Sequence, residues 1–167
     1  MAVDKKFYQK QEVRDFANET LDEMVTYAKI RYKIPDFNPK MTISFNSRHR
    51  TAYGGTDEDE KPFLFIAAYP ILWMVGRKNA TKIFAEYDFY KKDPEIGSQL
   101  NASWKQWIAT AIAHEISHAI QYYAIKNDEL CKEMLLPYLT TQAEEHGMMW
   151  RDIYRGFRVR FVNNFEF

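Results

Sequence analysis

The stretch AIAHEISHAI, residues 111–120, places His114 and His118 four positions apart with Glu115 beside the first of them. Residues four apart on an α-helix share a face one turn apart, so these two imidazoles are placed to share one ion. Glu115 lies about 100° round the helix from His114, off the ligand line yet within reach of a water on that ion. This is the HExxH arrangement in which Zn²⁺ lowers the pKa of a bound water toward ~7 and a carboxylate takes its proton. Chance produces such a pattern in a chain of this size at about the one-per-cent level. The competing reading, a histidine pair on a core helix, would have to find other partners for three polar groups, at about 1 to 3 kcal/mol for each left unsatisfied. The spacing therefore predicts a zinc site with His114 and His118 as ligands and Glu115 as general base.

A catalytic zinc takes a third protein ligand and keeps an open fourth position. Downstream candidates are His146 and the carboxylates Glu129, Glu133, Glu144 and Glu145. A metzincin is excluded, because its longer motif needs glycine and histidine where this chain has Gln121 and Ala124. We favour His146: Gly147 follows it and would let the backbone turn close to the metal, and Trp150, four residues on, would anchor the next helix in the core. Tyr122, Tyr123 and Tyr154 are candidate donors to the oxygen that becomes negative in the transition state. His49, outside both histidine motifs, reads as a turn residue, and Met148 and Met149 read as core.

The elements that must position these groups follow from periodicity. Val13, Phe16, Ala17, Leu21, Met24, Val25 and Ala28 recur at steps of three and four, which predicts a helix over residues 5–32, ended by Pro35. MTISF, residues 41–45, alternates as a half-buried strand; a polar turn over 46–50 and TAYGG suggest a strand pair. Residues 63–68 form a third strand, read as an exposed edge to which a peptide substrate would add. TDEDEK, residues 56–61, is a solvated loop lacking the spacing of a calcium site. A short helix is expected over 70–75, while 83–90 fits strand or helix. Ser103 with Gln106 resembles a capping box opening a helix over 103–125. A helical piece over 129–138 is interrupted by Pro137, and a last helix stops at Gly156 before an extended tail.

With 46% apolar residues in 167, the chain has enough to bury a sizeable core, and its length suits one domain over 1–167. Lys plus Arg and Asp plus Glu both count 23, so no global charge draws it to nucleic acid or anionic membrane. Arg151, Arg155, Arg158 and Arg160, interleaved with Tyr154, Phe157 and Phe161, leave a choice between a local basic-aromatic patch for single strands and a solvated helix face, with the second favoured. Charges near the N-terminus and the absence of a roughly 20-residue apolar run predict a soluble, cytoplasmic protein with no membrane partner. The single Cys131 reads as a buried apolar residue.

HExxH followed, after a variable insertion, by HGxx(F/W) at a helix start resembles the SprT-like zinc metalloprotease domain, the group that includes bacterial SprT and the DNA-protein crosslink protease Spartan. The similarity extends upstream to MTISFNSRHRTAYGG and PFLFIAA and covers roughly residues 10–160, its specificity resting on the two histidine motifs. It implies that His114, His118 and His146 bind Zn²⁺, that Glu115 is the general base, that the substrate is a protein or peptide, and, by family analogy alone, that DNA is a partner. Residues 76–102 are long for the family's link into the catalytic helix and suggest an insertion, and no cysteine-based zinc ribbon accompanies the motifs. The expectation is an α+β, zincin-like domain: an N-terminal helix, a small mixed sheet of about three strands, the HExxH helix and a C-terminal ligand-bearing helix. Zinc-dependent peptide hydrolysis is the favoured function; the alternative is a nucleic-acid or protein binding module with structural zinc.

Overall fold

The computed structural model describes residues 5–75, 83–84, 92–97, 99–100, 103–127, 133–138, 140 and 143–163. The architecture is mixed α+β, with a small three-stranded mixed sheet and a long N-terminal helix. Helix α1 (Lys5–Arg31) buries Val13, Ala17, Leu21, Met24, Val25 and Ala28, the stripe that its periodicity requires. Phe16, on its margin, packs edge-on against Trp104. Strand β1 (Lys40–Ser44) leads into a turn closed by the Asn46 side chain, which accepts from Arg48 N at 2.9 Å. Strands β2 (Tyr53–Thr56) and β3 (Pro62–Ala67) follow.

The strand order is β1-β3-β2, with β1 parallel and β2 antiparallel to β3. The expected pairing of MTISF with TAYGG is therefore not formed, because β3 inserts between them. The expectation that 63–68 is an exposed edge is also overturned: β3 is the central strand, and among the described residues β2 and β1 are the edges. Its composition explains the position. Leu64 and Ile66 are fully buried on one face while Phe63 and Phe65 are half-buried on the other, and a strand covered on both faces reads as a continuous apolar run.

Helix α2 (Ala68–Val75) begins directly after β3, two residues earlier than expected. Within 83–90, β4 (Ile83–Phe84) is strand and pairs antiparallel with β5 (Gln99–Leu100); residues 85–90 of that segment lie outside the described residues, as do Glu129 and Cys131. Helix α3 (Trp104–Lys126) carries the predicted capping box: Ser103 Oγ accepts from Gln106 N at 3.2 Å and Ser103 N donates to Gln106 Oε1 at 3.3 Å. It is the central helix, packed against α1, α2, β2 and β3 as well as the last helix. Residues 133–138 end in a 3₁₀ turn (Leu136–Tyr138).

Helix α4 (Met148–Phe161) does not stop at Gly156 but runs five residues further. Gly156 instead marks a close approach to α1, since a Cβ there would lie 3.1 Å from Tyr32 Oη and 3.3 Å from Tyr27 Oη. The added turns contain Arg158, which is fully buried and donates to the carbonyls of Ile96 (3.3 Å) and Gly97 (2.9 Å), to Tyr154 Oη (2.8 Å) and to Asn163 Oδ1 (3.1 Å). Arg155 pairs with Asp93, Glu95 and Asp152. These two arginines strap residues 93–97 to α4, so they supply neither a nucleic-acid patch nor a solvated face.

Candidate metal centre

His114 and His118 project from successive turns of α3, and His146 comes from the turn that leads into α4. The three ε-nitrogens converge: His146 Nε2 lies 3.1 Å from His118 Nε2 and 3.2 Å from His114 Nε2. Tetrahedral ligation at the usual Zn–N length of about 2.0 to 2.1 Å puts ligand nitrogens about 3.3 Å apart. One nitrogen cannot serve both neighbours as a single hydrogen-bond partner with a lone proton, whereas one cation satisfies all three lone pairs at once. The donor set therefore fits a metal ion, and it is the one such cluster of His, Cys, Asp or Glu among the described residues.

The electrostatics agree with that use. Burial, followed by the neighbouring His118, His146 and Arg158, holds the His114 pKa well below its ordinary value. Burial and then His146 bring His118 down to about 4, with the nearby Gln121 amide acting in the opposite sense. His146 is also lowered, by burial first. All three imidazoles are thus neutral near pH 7, the state in which each offers a lone pair.

Trp150 is the floor of the cluster. Its ring lies 4.7, 5.3 and 4.5 Å from those of His114, His118 and His146, it is fully buried, and its Nε1 donates to His114 O at 3.4 Å. The expected anchoring role is met. Gly147, in contrast, sits at φ −72° and ψ −171°, extended backbone open to any residue, so its glycine is not required by the turn. Met149 is core, but Met148 is 52% exposed on the first turn of α4, contrary to expectation.

Of the carboxylates weighed as third ligand, Glu133 is on the surface paired with Lys33 at 2.6 Å, and Glu144 and Glu145 are exposed. His49 stays in its turn, bonded to Ser44 Oγ at 2.5 Å and edge-on to Phe65. Glu115 is buried where α3 meets β2. Among the tyrosines, Tyr123 packs into the core against Phe37, and Tyr154 Oη already accepts from Arg158. Tyr122 stacks over His118 with ring centroids 6.4 Å apart, and burial, then Glu145, raises its pKa, which keeps the phenol protonated as a donor.

Two contributors to the site were not singled out from sequence. Gly54 in β2 lies directly on the backbone of Glu115, and Gln121 donates to the carbonyl of Glu144 at 2.8 Å. Gln121 had a signal: it is three residues from His118 and so shares its helix face. Gly54 had only its membership of a GG pair. No family model, no curated protein and no solved structure matches the chain.

Proposed function

We propose that the chain is a zinc-dependent metallopeptidase of the zincin, SprT-like type, hydrolysing peptide bonds in a protein or peptide substrate. The observation that carries this reading is the convergence of three neutral imidazole nitrogens on one point, adjoining a glutamate in the HExxH position. His114, His118 and His146 would hold Zn²⁺. The bound ion would supply Lewis acidity toward a carbonyl oxygen and lower the pKa of water. Glu115 takes a proton from the attacking water and returns it to the leaving amine. Tyr122, beside His118 and still protonated at neutral pH, donates a hydrogen bond to the oxygen that gains charge.

Substrate docking belongs to β2 in this reading. Among the described residues β2 pairs on one side only, with β3, and it runs along α3 at Glu115. An extended peptide adding to that edge would lay its backbone beside the general base. A structural-zinc binding module would require a fourth protein ligand, and the described residues bring only three together. DNA as a partner rests on the resemblance alone.

The test is zinc content and proteolysis of wild type and His146→Ala, both purified without added metal. One zinc per chain and measurable cleavage in wild type, both reduced in His146→Ala, support the reading. Wild-type protein that binds no zinc overturns it.

A further inference from the structure

We propose that Gln121 is a positioning residue of the histidine cluster, joining His118 to the turn that carries His146 so that one side chain sets two of the three ligands. The inference rests on reading that cluster as a metal site. Gln121 is fully buried on α3, among the buried Ile120, Tyr123 and Ala124. A primary amide in such surroundings is costly unless its polar atoms are engaged. Its Nε2 donates to Glu144 O at 2.8 Å, and the same carbonyl accepts from Gly147 N at 3.0 Å. That carbonyl closes the four-residue turn 144–147, whose third member is His146. Gln121 thus fixes the turn to α3 from within the core.

The second connection runs to His118. With His118 Nε2 directed into the cluster, its proton belongs on Nδ1, a buried atom that meets no acceptor in hydrogen-bond geometry among the described residues. Gln121, three residues on along the same face, is placed to supply that acceptor when the ring is drawn onto an ion. The amide oxygen suits an N–H donor, and it disfavours the tautomer that would put a hydrogen on Nε2 and block the ion. Partners of this kind orient metal ligands, and their loss typically costs ~10- to 100-fold in metal affinity.

The experiment measures zinc affinity by chelator competition for full-length wild type, Gln121→Leu and Gln121→Glu. The same samples give thermal unfolding of the metal-stripped proteins and ¹⁵N shifts of the histidine rings. Gln121→Leu is expected to weaken zinc about 10- to 100-fold and to shift His118 toward the Nε2–H tautomer, beyond any change in unfolding temperature. Gln121→Glu, which keeps an acceptor for Nδ1 but loses the donor to Glu144, is expected to retain the tautomer and still lose affinity. If Gln121→Leu fails to fold, Gln121→Glu decides the matter. Affinity within about twofold of wild type in the folded variant overturns the proposal while leaving the metal site standing. Wild type that binds no zinc removes the metal site and this inference together.

Discussion

Gly54 lies so close to Glu115 that a Cβ at position 54 would overlap the Glu115 carbonyl oxygen and sit 2.8 Å from its carbonyl carbon. The obstacle is helix backbone, which cannot swing away as a side-chain tip does. Gly54→Ala must therefore push β2 off α3 at Glu115, the proposed general base. Such overpacking typically costs about 1 to 3 kcal/mol. We expect a lower unfolding temperature and a loss of proteolysis with zinc content unchanged, because the histidines are on α3 and the α4 turn. A fully active Gly54→Ala would show that the strand's approach is not needed.

Glu115→Gln separates proton transfer from metal binding. The substitution removes the proposed base and leaves all three imidazoles in place. Zinc content should equal wild type while turnover falls about 10² to 10⁴-fold, the usual contribution of a general base. Retention of full turnover would remove Glu115 from the mechanism.

Tyr122→Phe deletes the hydroxyl and keeps the ring stacked on His118. Loss of one donor to a developing oxyanion costs roughly 10²- to 10³-fold in kcat. KM and zinc content should stay near wild type. A change in zinc content without a change in kcat would instead assign the tyrosine to ligand support.

The depressed histidines make a pH prediction. His118 titrates at about 4 in the fold against 6.5 ordinarily, so between those values the unfolded chain binds more protons than the folded one. Stability is then fully present above pH 6.5 and is lost as pH falls toward 4. His118 alone accounts for on the order of 3 kcal/mol across that window, at ~1.4 kcal/mol per pH unit. Metal-stripped protein followed by denaturant titration at pH 7.5, 6 and 4.5 should lose stability at each step. His118→Asn should flatten the profile.

The parts of the molecule that sequence made legible are those governed by local rules. The α3 capping box needs only Ser103 and Gln106, and the facing of His114 and His118 needs only helical spacing, so both are formed as expected. The third histidine of the cluster was within reach because few residue types bind zinc and, beyond the HExxH pair, His146 is the one histidine standing before a helix. Long-range choices were not legible. That β3 would separate β1 from β2 depends on which strand has both faces covered, and its uninterrupted apolar run was the available clue. Gly156 was misjudged because a glycine that ends a helix and one that admits a neighbouring helix look alike until the neighbour, here Tyr27 and Tyr32, is in place. Arg158 ran against the rule that arginines remain in water, since the carbonyls that receive it lie about 60 residues away in the chain.

That strap of Arg155 and Arg158 on residues 93–97 also gives α4 a second task. The path from α2 to α3 is pinned midway to the helix that follows His146. The same helix thus serves two ends: its first turn lies against the histidine cluster through Trp150, and its later turns hold residues 93–97.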